Sequence, residues 1–137
     1  MSKKTLFTDF DYDFNLIGIS AYSKDYRLCW ELNRLLNVDL KKEEDIILTS
    51  KKGDKMEFSM YFHQNTLTEK DLRLVKNKKE GRIIIPEQPK ADYFLILYDF
   101  DTYEIKEIIE KLKKINVVLT AFQVEISTLK SKQNLLF

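Results

Sequence analysis

The stretch IIIPEQPKADYFLILYDFD, Ile83 to Asp101, decides the fold. Both prolines of the chain lie in it, followed by an apolar run and then two acids. Pro86 bars Ile85 from the helical region and Pro89 does the same to Gln88, so residues 86–90 run extended or turned. Tyr93 to Tyr98, YFLILY, lacks any polar alternation, the pattern of a central strand covered on both faces. Asp101 and Glu104 then have the spacing of a capping box, and Ile105, Ile108, Ile109, Leu112 and Ile115 recur at helical intervals behind it. Glu107 with Lys111 and Glu110 with Lys114 supply a solvated outer face in the favoured Glu-before-Lys order. Val117 to Ile126, β-branched and aromatic, predicts a closing strand.

The same strand-helix passage occurs once more, earlier in the chain. Phe14 to Tyr22 is an apolar run with Gly18 at its centre, which suits a buried strand approached closely by a neighbour. Ser23 offers an N-cap, and Leu28, Cys29, Leu32, Leu35 and Leu36 mark the buried stripe of a helix over Lys24 to Asn37, with Trp30 beside the stripe and partly exposed. Between the two passages, Asp45 to Ser50 and Lys55 to His63 flank Gly53 as an antiparallel hairpin. In its second arm Met56, Phe58, Met60 and Phe62 share the core face. Asp71 to Asn77 alternates less cleanly and ends in a basic turn, after which Arg82 to Ile85 begins another extended piece. These elements predict one α+β domain over residues 1–137: a two-layer sandwich, mostly antiparallel, with two helices on one face and loosely ferredoxin-like. A short flexible N-terminus (1–8) and a C-terminal tail (127–137) flank it; the apolar end Leu135 to Phe137 asks for a surface to cover.

Composition limits the function classes. The 137 residues carry 23 Lys plus Arg against 22 Asp plus Glu, so no overall field draws in nucleic acid or an anionic membrane. No apolar run approaches the roughly 18 residues of a membrane span, and no apolar segment follows the basic N-terminus, which predicts a cytoplasmic protein. The lone Cys29 excludes an internal disulfide and any Cys-based zinc cluster. Gly18, Gly53 and Gly81 are too few and too scattered for a phosphate-cradling loop.

Ile85-Pro86-Glu87, three free positions, then Ala91-Asp92-Tyr93 resembles the signature of the bacterial IPExxxVDY family, with Ala91 where that family has Val. Chain length, the apolar strand after the motif and the lysine-rich composition are similar over most of the chain. That family has no established activity, so the resemblance implies a bacterial setting and no particular chemistry. Read from the residues alone, Glu87 accepts hydrogen bonds from free N–H groups of the turn that follows, Asp92 pins the start of the next strand, and Tyr93 packs its ring with the hydroxyl at the rim. The functional alternative is that Glu87, Asp92 and Tyr93 form a binding groove for a cationic partner.

Other constellations give competing expectations. Asp9, Asp11 and Asp13 alternate with aromatics, but the sixth and twelfth positions counted from Asp9 are Phe14 and Ser20, where a calcium loop needs Gly and Glu. A carboxylate-metal enzyme would draw on Asp9, Asp11, Asp99 or Asp101, the last better explained as an N-cap. His63 has no second imidazole to share a metal and reads as a hydrogen-bonded strand residue; Cys29 reads as a small core residue. Lys76, Lys78, Lys79 and Arg82 in the basic turn make an RNA-binding module the rival reading. The reading preferred is a cytoplasmic protein-interaction or adaptor domain, self-associating as a homodimer or holding another protein, with no catalytic residue, metal or cofactor assigned and no membrane contact.

Overall fold

The computed structural model describes residues 13–137. Its ten strands and two α-helices follow the order β1 (Asn15–Ala21), α1 (Asp25–Leu36), β2 (Lys41–Lys42), β3 (Ile46–Thr49), β4 (Lys55–Phe58), β5 (Met60–His63), β6 (Leu72–Lys76), β7 (Lys78–Lys79), β8 (Arg82–Ile83), β9 (Tyr93–Leu97), α2 (Thr102–Leu112) and β10 (Val118–Val124). Six of the strands form one open antiparallel sheet in the order β10-β1-β9-β6-β5-β2; β3-β4 and β7-β8 are separate two-stranded ribbons. The fold is α+β, with both helices contributing to one apolar core. The passage β9-α2-β10 has β1 inserted between its strands, and β1 and β6 flank β9 in turn, a split arrangement like that of ferredoxin-like domains in which β2 to β5 intervene between α1 and β6.

β9 is buried at every position, as its unbroken apolar run predicts, because it lies third in the sheet with cover on both faces. Leu95 and Leu97 join the helix-side core with Ile17, Leu28, Leu32, Ile105 and Leu112. Phe94 and Ile96 join a second core on the opposite face, with Leu16, Phe58, Val75, Ile84 and Leu135 among its members. The second face is therefore roofed as well, by irregular segments in place of helices. The tail is part of that roof: Leu129 and Leu135 are buried on their own chain, while Phe137 stays 50% exposed.

Local chemistry explains the boundaries. The capping box of α2 is complete, with Glu104 N–H donating to Asp101 Oδ1 at 2.8 Å and Asp101 N–H to Glu104 Oε1 at 3.1 Å. On its outer face Glu110 meets Lys113 at 3.4 Å, in place of the expected Lys114, and Lys70 from the loop ahead of β6 reaches Glu104 at 2.7 Å. α1 begins differently from the expectation. Lys24 holds the N-cap position without a side-chain bond, and Asp25 Oδ1 accepts the Tyr26 N–H, while the Ser23 hydroxyl donates to the Lys24 carbonyl. Gly18 behaves as predicted, since a Cβ there would meet the Phe122 ring at 2.7 Å.

The long second arm of the central hairpin divides at Ser59. β4 pairs with β3 in the ribbon, whereas β5 enters the main sheet between β6 and β2. The break keeps Phe58 and Met60 in the second core and sends Tyr61 to the helix side. β6, the least regular segment in the sequence, sits near the middle of the sheet, and tertiary pairing on both sides sets its conformation.

Candidate functional site

Three places gather chemistry-bearing side chains: the proline-bounded segment, the N-terminal end of α1, and the outer surface of that helix.

The first is organised by Asn77, a fully buried polar side chain that the sequence hides in a basic run. Its Nδ2 donates to the carbonyls of Ala91 at 2.8 Å and Gln88 at 3.2 Å, and its Oδ1 accepts the Ile85 N–H at 2.8 Å. Its backbone receives the Ile84 N–H and donates to the Asp92 carbonyl, both at 2.9 Å. One residue thus satisfies the interior of the 84–92 loop. Glu87 turns away from its own turn. Its carboxylate accepts the Ser131 N–H at 3.0 Å and the Ser131 hydroxyl at 2.9 Å, so it fastens the C-terminal tail. Asp92 pins β1 rather than its own strand, accepting the Ala21 N–H at 2.9 Å where the β1-β10 register shifts, and it meets Lys78 at 3.4 Å. Tyr93 is 2% exposed, and its hydroxyl, instead of lying at a wet rim, donates to the Ser23 carbonyl at 2.6 Å. Asp92 and Tyr93 therefore both fasten residues 21–23 at the end of β1, while Glu87 fastens the tail at Ser131 and is not brought to them.

The basic turn is distributed likewise. Glu80 and Gly81 both have positive φ, which closes the β7-β8 ribbon with the right twist. Lys79 and Arg82 face each other across it, and with Lys55, Glu57 and Glu80 they border a depression of about 200 Å³ of mixed charge. Arg82 is partly occupied by the Lys55 carbonyl at 3.2 Å, and Lys78 by Asp92.

Lys76 instead belongs to a polar group under the N-terminal end of α1. Burial pushes the Asp25 carboxyl upward, but the Ser59 hydroxyl, the Tyr26 N–H, the Lys76 charge and the Tyr61 hydroxyl outweigh it, and the group sits below the ordinary carboxylate range. The buried Ser59 hydroxyl makes no well-formed hydrogen bond there. Burial and then the Asp25 charge push the Tyr61 and Tyr93 phenols upward, so both are neutral donors. Cys29, close by, has its thiol raised to about 11, first by burial and then by Asp25 and Asp39, which removes it as a thiolate nucleophile at neutral pH. His63 accepts the Asp39 N–H on Nδ1 at 3.1 Å.

Of the candidate acids, Asp9 and Asp11 lie outside the described residues. Asp13, Asp99 and Asp101 border one shallow depression of about 360 Å³, but Asp101 is engaged in its cap. Among the described residues no group of three His, Cys, Asp or Glu side chains has the arrangement of a metal site. Among the described residues no helix is long and apolar enough to cross a membrane.

The third place went unread in the sequence beyond the partial exposure of Trp30. Tyr26 and Trp30, one turn apart on α1, are 65% and 51% exposed, and Tyr22 just ahead of the helix is 77% exposed. The Trp30 ring lies 4.6 Å from the Arg34 guanidinium and 5.7 Å from that of Arg27, while Glu31 pairs with Arg27 at 3.0 Å. Arg34 also borders a depression of about 380 Å³ with Leu35, Lys114 and Ile115, between the ends of α1 and α2. The available signal was the spacing of Tyr22, Tyr26 and Trp30 by four residues, opposite the leucine stripe. Compared with protein-family models and with curated proteins, the chain matches none.

Proposed function

We propose that the protein is a non-catalytic interaction domain acting as a cytoplasmic adaptor, and that its docking face is the outer surface of α1. The observation that carries this reading is the exposed pair Tyr26 and Trp30, with Trp30 held by two guanidinium groups beside a depression. Aromatic and arginine side chains dominate protein-protein hot spots because they bury much area at little conformational cost. Holding Trp30 between two arginines removes part of that cost before a partner arrives. Leu35 and Ile115 offer an apolar floor, and Arg34 and Lys114 offer cations, so the partner is a protein segment presenting an apolar side chain flanked by carboxylates. The likeness of residues 85–93 to the IPExxxVDY family enters the same proposal as shared architecture, since Glu87, Asp92 and Tyr93 each fasten a segment that the loop meets.

A photo-crosslinking residue in place of Tyr26 tests the reading, with Leu67, 92% exposed outside the ridge, as the control position. The expected result is a protein adduct at position 26 alone, identified by mass and rebuilt from purified components, with affinity falling about tenfold or more in Trp30→Ala. A second copy of this chain in the adduct would make the face a dimer interface. Equal labelling from both positions, or an affinity that Trp30→Ala leaves unchanged, overturns the assignment.

A further inference from the structure

Arg73 projects from β6 onto the second face, directly opposite Phe62 of β5. Its guanidinium lies 4.2 Å from the Phe62 ring centroid, 5.2 Å from that of Phe137 and 6.0 Å from that of Tyr98. Nε donates to the Tyr98 hydroxyl at 3.2 Å and Nη1 approaches Met60 Sδ at 3.4 Å. None of the ion pairs among the described residues includes Arg73. A guanidinium has five donors and binds oxyanions in a planar, forked geometry. Here its neighbours are three aromatic rings and a thioether, so part of its hydration is lost without a counter-charge in return. Phe137, beside it, is 50% exposed and offers an aromatic surface for stacking.

A cation set among stacking surfaces suits a ligand that joins an oxyanion to a flat ring. We propose that Arg73, Phe62, Tyr98 and Phe137 form a nucleotide-binding patch, with the phosphate on the guanidinium and the base against Phe137. The patch is separate from the α1 ridge and from the basic β7-β8 ribbon, and it goes beyond the interaction role. A free nucleotide and a nucleotide within single-stranded RNA present the same chemistry. The Tyr98 phenol supplies an internal reporter. Burial raises it and the Arg73 charge pulls it back, so a phosphate that neutralises Arg73 moves its ionisation further upward.

The full chain is titrated by calorimetry at low salt with adenosine monophosphate, adenosine, inorganic phosphate and a short oligouridylate. The expected result is binding of the nucleotide or the oligonucleotide, weakened about tenfold or more in Arg73→Gln and in Phe137→Ala, with phosphate and adenosine alone weaker still. An alkaline absorbance titration should show one tyrosine shifted upward by ligand, and Tyr98→Phe should abolish that shift. Heat from the mononucleotide identifies a free nucleotide as the source, and heat from the oligonucleotide alone identifies a strand. If Arg73→Gln fails to fold, Phe137→Ala and Tyr98→Phe carry the test. No heat from either ligand overturns the proposal, as does binding indifferent to these substitutions or phosphate binding as tightly as the nucleotide.

Discussion

The two faces of the main sheet are covered by opposite strategies. On one face α1 and α2 lay continuous apolar stripes over β1 and β9, and each helix satisfies its own backbone internally. On the other face the cover is the β3-β4 ribbon, the proline-bounded loop and the tail, and the loop and the tail have no ladder of their own to satisfy their backbones. Side chains do that work: Asn77 for the loop, Glu87 for Ser131, and Asn134, whose Nδ2 donates to the Ile84 carbonyl at 3.1 Å. The helical face therefore depends on apolar area, and the irregular face on a few polar clasps with no substitutes.

The sharpest way to break this contrast is Asn77→Ala. It orphans the Ile85 N–H and the Ala91 carbonyl inside the second core and leaves the Gln88 carbonyl with the Ala91 N–H alone. At roughly 1–3 kcal/mol for each buried group left unsatisfied, partly relieved by relaxation, the loss expected in urea unfolding is about 3 kcal/mol or more. A volume-conserving substitution on the helical face that removes no polar clasp, such as Leu32→Met, should cost less than about 1.5 kcal/mol. If the two cost the same, the distinction between the faces fails.

Gly18→Ala probes the strand common to both faces. The added methyl falls 2.7 Å from Phe122, so the ring must move, at about 1–3 kcal/mol. In the double variant with Phe122→Leu the cost should shrink, and a strictly additive double-mutant cycle would show that the ring is not the obstacle.

The smallest effect concerns the clasp between the loop ahead of β6 and α2. Lys70 and the Asp101 N–H hold the Glu104 carboxyl below its ordinary range by hydrogen bonding. A depressed folded-state pKa means that the stabilisation is present above the unfolded value and is lost as pH falls through the folded one. Unfolding measured across the acid range should show that loss, and Lys70→Met should flatten it. An unchanged acid limb in Lys70→Met would leave the capping hydrogen bond as the sole cause.

This contrast also explains what was readable beforehand. Both helices, the central position of β9, the close approach at Gly18 and the cap at Asp101 follow from periodicity or from local stereochemistry, which a sequence displays directly. The clasps do not. Asn77 reads as one polar residue in KNKK, and nothing near Glu87 announces Ser131, 44 residues away. Ser23 looked like a cap because serine often is one, yet its hydroxyl turns to the Lys24 carbonyl. Trp30 could be placed beside the buried stripe, but its two arginine neighbours emerge only when side chains leave the helix in three dimensions.

The position of β1 has a consequence for synthesis. Both of its neighbours, β9 and β10, are made late, so a nascent chain ending before Tyr93 carries a central strand with neither edge satisfied. In the first two-thirds of the chain β1 has no partner strand, and this apolar strand must be shielded until the last third emerges.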